Sequence, residues 1–143
     1  MNYHFRVHRN NDGLWAECIE LSGCLTQADS EKELEANMKE VLNLFIDEPS
    51  DSKIIFPLPK KKVSGRNIVL VPVDPKIAFA FAMRRERLRN KLTQAQAAAR
   101  LGITGSLNKY QRLERSQTAN PEFLTLVKIR KAFPRFPIVE LTS

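Results

Sequence analysis

Asn108, Lys109, Gln111, Arg112 and Arg115 crowd into residues 92–115, LTQAQAAARLGITGSLNKYQRLER, with almost no acidic company. Asn and Gln amides bond adenine edges in a major groove, Arg bonds guanine in bidentate fashion, and Lys meets phosphate. That inventory is the chemistry of reading duplex DNA. The blander alternative is an ordinary solvated basic face on a small helical domain.

Such side chains act together only if one element holds them outward. Residues 107–115 read as a helix in which Leu107, Tyr110 and Leu113 recur at three-residue spacing and face inward, leaving the polar set outside. A first short helix should precede it. Thr93 caps the opening amides, Gln96 reaches back three residues later, and Gly102 ends the helix in a left-handed conformation. Ala95, Ala97, Ala98 and Ala99 let another helix come close, while Leu101 and Ile103 supply apolar contacts at the bend. Two helices around a tight turn are the packing of a helix-turn-helix, with the second as the recognition helix.

The 143 residues suffice for one medium domain or two small ones, and 43% hydrophobic content supports a core. The opening MNYHFRVHRNNDG is polar throughout, and the longest apolar run, 77–83, is far too short for a membrane span. The expectation is a soluble, cytoplasmic protein with no membrane partner. Cys18 and Cys24 lack the paired CxxC spacing of zinc sites and are expected as reduced, partly buried thiols; no metal or cofactor is expected.

Net charge is more informative when split at Asp74. Residues 1–74 hold nine Lys/Arg against twelve Asp/Glu, a balance of −3, and residues 75–143 hold fourteen against four, a balance of +10. This asymmetry suggests two modules, 1–73 and 74–143, the second suited to a polyanion.

The first module reads as α+β. Tyr3, Phe5 and Val7 alternate with His4, Arg6 and His8 in a half-buried strand, both histidines facing solvent and too far apart to share one ion. NNDG at 10–13 signals a hairpin into a second strand over 14–21, and a third covers about 24–28. Ser30 and Glu33 form a capping box for a helix that presents Leu34, Met38, Val41, Leu42 and Phe45 to the sheet, with Pro49 ending it. Residues 29–51 carry eight carboxylates against Lys32 and Lys39. That acidity is either a solvated helix face or a docking surface for a basic protein, and the residues alone do not choose. Residues 53–65, with prolines and Lys60-Lys61-Lys62, read as a mobile loop, and 67–73 as a further strand in the centre of the sheet.

In the second module Asp74-Pro75 starts a helix whose apolar part, 77–83, is expected to contact its own domain and a second subunit. Asn120-Pro121 starts another, with Leu124, Val127 and Phe133 closing the core, and the tail 136–141 has a strand-like composition.

Two stretches now combine. An NDG turn, a W-x-E strand, LSGCLTQADS and an acidic helix with ELEAN stand in the first half, and KYQRLERSQTANPEFLTLVKIRKAFP in the second. With these the whole chain resembles the HicB antitoxins of bacterial HicA–HicB toxin–antitoxin modules. The resemblance implies a partial RNase H-like fold for 1–73 that occludes the active site of a small basic RNase toxin. It implies an operon repressor for the C-terminal domain, a homodimer or homotetramer on operator double-stranded DNA, and no catalysis. It also favours docking for the acidic surface, with Glu17, Asp29, Glu31 and Glu35, chosen by charge, as candidate toxin contacts. Gln94, at the start of the first helix, joins the DNA set through a phosphate bond. ITGSLNKY carries extra residues relative to common repressors, which implies a longer turn or a later second helix. The competing readings are a stand-alone, ligand-sensing transcriptional regulator and an RNase H-like nuclease. The latter wants carboxylates converging on paired ions, whereas Asp12, Glu17 and Asp29 come from separate segments.

Overall fold

The computed structural model describes residues 1–143. It is α+β, with one four-stranded antiparallel sheet and six helices. The chain divides into two compact units, one of residues 1–46 with 56–74, the other of 47–55 with 75–143. No helix is long and apolar enough to cross a membrane.

In the first unit β1 (Asn2–Asn10), β2 (Gly13–Cys18), β3 (Leu25–Ala28) and β4 (Ile68–Pro72) pair in the order β3-β2-β1-β4, with α1 (Glu31–Ile46) between β3 and β4 in sequence. Asn10 faces Gly13 across the two-residue turn Asn11-Asp12. Gly13 has φ 133°, and a Cβ there would lie 3.2 Å from the Ala28 carbonyl oxygen, so glycine is required for both backbone and space. β2 stops at Cys18, short of the expected Leu21, because the chain folds back on itself: the Cys18 amide donates to the Cys24 carbonyl at 2.8 Å.

One sheet face carries Tyr3, Phe5, Val7, Ala16 and Cys18, all buried, and Leu34, Met38, Leu42 and Ile46 of α1 are buried with them. Ile46 takes the place that the sequence pattern assigned to Phe45, which is only half-buried and stacks near Phe56 instead. Ser30 Oγ accepts the Glu33 amide at 3.2 Å, but the Glu33 carboxylate reaches one residue beyond the expected box, to the Asp29 amide at 3.3 Å. α1 ends at Ile46, before Pro49 acts.

Three expectations for this unit are corrected. β4 is an edge strand, not a central one; with Pro72 lacking an amide, it pairs with β1 alone. His4 is buried rather than solvent-facing, because Glu20 accepts from both its amide and its ring. His8 is half-covered because its ring stacks on Trp15, with centroids 4.0 Å apart.

The second unit contains α2 (Pro75–Arg89), α3 (Gln94–Arg100), α4 (Leu107–Gln111), a 3-10 turn (Arg112–Glu114), α5 (Phe123–Ala132) and α6 (Ile138–Thr142). Its core gathers Phe79, Met83, Ala97, Leu101, Tyr110, Ile129, Phe133 and Phe136, with Phe79 and Phe136 edge to face at 5.8 Å. Fully burying each large apolar side chain contributes about 1.5–3 kcal/mol.

Here too the sequence pattern misplaces some side chains. Leu124 is exposed and Val127 only half-buried, since α5 starts at Phe123 and turns Ile129 inward. Residues 138–142 form a helix, not a strand: Leu141 donates to the Pro137 carbonyl at 3.0 Å, and Ile138 and Leu141, three apart, both pack on the core. Within the apolar run of α2, Phe79, Ala80, Ala82 and Met83 join this unit's core, as expected of contact with its own domain.

Candidate functional site

The geometry of the basic cluster begins with the cap at Thr93. Its hydroxyl accepts the Gln96 amide at 3.1 Å and the Gln96 side chain accepts the Thr93 amide at 2.9 Å, closing the box that the sequence predicts. Gly102, at φ 69°, ends α3: its amide bonds Ala99 O and the Ile103 amide bonds Ala98 O, both at 3.0 Å. Of the four alanines, Ala97 and Ala98 face the core and Ala95 and Ala99 face solvent. Ser106 then caps α4, accepting the Asn108 amide at 3.1 Å.

α4 runs only to Gln111 before tightening into the 3-10 turn, so the expected helix over 107–115 is a composite of two helical types. Thr118 Oγ1 donates to the Arg112 carbonyl at 2.8 Å and holds that end. Tyr110 and Leu113 face inward as expected. Leu107 does not; it is 42% exposed, because it sits in the first turn beside the cap. Arg115 lies past the helical residues in an extended conformation, φ −109° and ψ 125°.

Asn108, Lys109, Arg112 and Arg115 are exposed. Gln94 and Gln111 are half-buried and differently employed: Gln111 Nε2 donates to Gln94 Oε1, and Gln94 Nε2 to Glu114 Oε2, each at 3.0 Å. Glu114, whose side chain is 0% exposed, is the centre the sequence reading missed. Arg87 Nε donates to it at 2.6 Å and Nη2 at 3.1 Å, while the Tyr110 hydroxyl donates at 2.7 Å. Glu114 thus ties α2, α3 and α4 together. The available signals were Glu114's isolation among basic residues and its four-residue spacing from Tyr110.

The charges there follow from burial. Desolvation and the adjacent carboxylate raise the Tyr110 phenol above its ordinary range. For Arg87 desolvation acts downward, but the hydrogen bond and charge of Glu114 outweigh it and the net direction is up. Arg84 is lowered by burial, with Glu114, Glu48 and Asp47 acting against that. Segment 47–55 belongs to this unit and is bonded into it: Arg84 Nη1 donates to Glu48 O at 3.1 Å, Arg87 Nη2 to Ser50 O at 3.3 Å, and Ser116 Oγ to Asp47 Oδ2 at 3.1 Å.

In the first unit the four acidic candidates do not converge. Glu31 and Glu35 line a groove of about 680 Å³ between α1 and β4, where Glu31 pairs with Arg9 at 2.8 Å. Asp29 lines a separate hollow with Asp12 and Glu33 near the hairpin turn. Glu17, two residues from Trp15, projects from the opposite sheet face and lies 3.4 Å from His8. The groove also carries Lys32 and Lys39, so its charge is mixed.

No three His, Cys, Asp or Glu side chains are grouped so as to hold a metal ion. Cys18 and Cys24 are both free and buried. The hydrogen bond between them raises Cys18, aided by burial, and lowers Cys24. Compared with models of known protein families and with curated proteins, the chain matches none.

Proposed function

We propose that the protein is a HicB-type antitoxin without catalysis, cytoplasmic, which blocks a small basic HicA-like RNase toxin through its first unit and represses its own operon through its second. In this reading α3, the turn and α4 form a helix-turn-helix, and the meander β1–β3 with α1 is the partial RNase H-like half. The observation that carries it is the placement of Asn108 and Lys109 on α4 and Arg112 on the 3-10 turn that continues it, all exposed, while the inner face of that pair is fastened through Tyr110 and Glu114 to Arg87. Side chains that read base edges need such fixed backing, since a loose donor loses its preference between bases. Gln94 and Gln111 then serve chiefly to brace the reading helix, with Arg115 reaching phosphate from beyond its end. A dimer or tetramer brings two such helices about 34 Å apart, to match two half-sites.

The test is a gel shift of the full chain on a duplex covering the DNA upstream of its own coding sequence. Arg112→Ala should weaken specific binding by about 1–3 kcal/mol if it reads a base. Binding that ignores this change discards the DNA reading. A pull-down that returns a small basic RNase supports the antitoxin half. The second reading, a ligand-sensing regulator, rests on the groove between α1 and β4, whose volume falls in the range of small-molecule sites. A metabolite co-purifying in place of an RNase would select it.

A further inference from the structure

We infer that the outer edge of β4 pairs across a two-fold axis with the same edge of a second copy of this chain. The inference uses nothing from the DNA or toxin reading. β4 is bonded on one side only, to β1. The Val7 amide donates to the Asn67 carbonyl and the Val73 amide to the Met1 carbonyl, each at 2.9 Å, which fixes the phase of the ladder. Residues 67, 69, 71 and 73 turn their main-chain groups toward β1; Ile68, Leu70 and Pro72 turn theirs outward.

The outward set is self-complementary in one register. With the axis at Leu70, the two Leu70 residues exchange both of their main-chain bonds. Each Ile68 amide meets the partner's Pro72 carbonyl, and the missing Pro72 amide falls where the pairing ends. Moving the axis to Ile68 would carry Pro72 past the end of the facing strand.

Side chains and charge favour the same occupant. Residues 67–73, NIVLVPV, contain no charge; the one guard on this edge is Pro72, and it sits at the strand's end, leaving Ile68 and Leu70 with free outward amides. Leu70 is 59% exposed and Val69 38%. In this register Leu70 packs on the partner's Leu70, and Val69 comes opposite the partner's Val71. Just outside the strand, each Arg66 comes opposite the partner's Asp74. The adjoining groove mixes Arg9, Lys32 and Lys39 with Glu31 and Glu35. A second copy brings the same mixture of both signs to meet it.

The experiment measures the mass of the full chain in solution by light scattering, alongside Leu70→Lys, Leu70→Glu and their equimolar mixture. Either charged variant alone should halve the wild-type mass, and the mixture should restore it through the Lys–Glu contact at the axis. Leu70→Cys should give a cross-linked dimer on a non-reducing gel after mild oxidation, while Leu25→Cys, at the other sheet edge, should not. A monomeric wild type, unchanged mass in both variants, or a mixture that stays at half mass overturns the pairing. If a charged variant fails to fold, the Leu70→Cys cross-link decides alone, its absence overturning the inference.

Discussion

In each unit of this protein a glutamate with a buried side chain collects donors from distant parts of the chain, Glu20 in the first and Glu114 in the second, and the two are built differently. Glu114 is met by side chains from three helices: the Arg87 guanidinium, the Gln94 amide and the Tyr110 hydroxyl. Glu20, whose side chain is 1% exposed, is met largely by backbone, the amides of His4 and Lys60 at 3.0 and 3.1 Å, together with the His4 ring at 2.7 Å. One carboxylate joins helices that local bonding alone would not orient; the other pins an irregular segment to a sheet that already has its ladder. The lesson is where rigidity is needed. A helix of five residues cannot hold its own direction, so a buried charge pair holds it.

The largest effect should follow from removing the helical hub. Glu114→Ala leaves the Arg87 charge buried without its partner, and such losses run to about 3–5 kcal/mol. Thermal or urea unfolding of the full chain should show it, and a loss below about 1 kcal/mol would mean the guanidinium finds other partners. Glu20→Ala should lose less, about 1–3 kcal/mol, because the buried His4 loses the acceptor of its amide and ring while the exposed Lys60 amide turns to water. Equal losses from the two variants would erase the contrast.

The sequence was most readable where one local rule acted alone. The hairpin at Asn10–Gly13, the capping box of Thr93 and Gln96, and the stop at Gly102 each depend on backbone chemistry within a few residues. It was least readable where the deciding partner lies far along the chain. Nothing near His4 announces Glu20, and nothing near Arg87 announces Glu114, 27 positions away. Residues 136–141 misled for a related reason: a β-branched composition yielded to the two-residue anchor of Ile138 and Leu141 on the core. In the candidate site, exposure of Asn108, Lys109 and Arg112 followed from helical periodicity. The bracing by Gln94 and Gln111 did not, because a glutamine looks the same whether it reads a base or steadies a carboxylate.

Tyr110→Phe sharpens the comparison at its middle. It deletes one bond to Glu114 without stranding a charge, so the loss near neutral pH should be about 1 kcal/mol. Its pH dependence is more telling. Burial and Glu114 hold the phenol above its ordinary value of 10.0, so above that pH the unfolded chain has released a proton that the folded chain keeps. The folded state then binds more protons, and stability must fall as pH rises. This contribution is fully present below about pH 10 and lost above it. Unfolding measured from pH 8 upward should show a steeper decline in the wild type than in Tyr110→Phe. Parallel curves would mean that the phenol is not held.

The smallest effect on stability separates bracing from reading. Gln111 is the outermost link of the chain that runs through Gln94 to Glu114, and it is half-exposed, so water can replace what Gln111→Ala removes. Unfolding should shift by about 0.5 kcal/mol or less, the usual range for surface positions. Gel shift on the upstream duplex then carries the information. If Gln111 only steadies α4, affinity falls slightly and equally on matched and mismatched duplexes. If it also bonds an adenine edge, specific binding falls by about 1–3 kcal/mol while nonspecific binding holds. Because the Gln111 amide keeps a second N–H and its Oε1 beyond the bond to Gln94, a large specific loss with unchanged stability would show that this outer side of the amide reads a base.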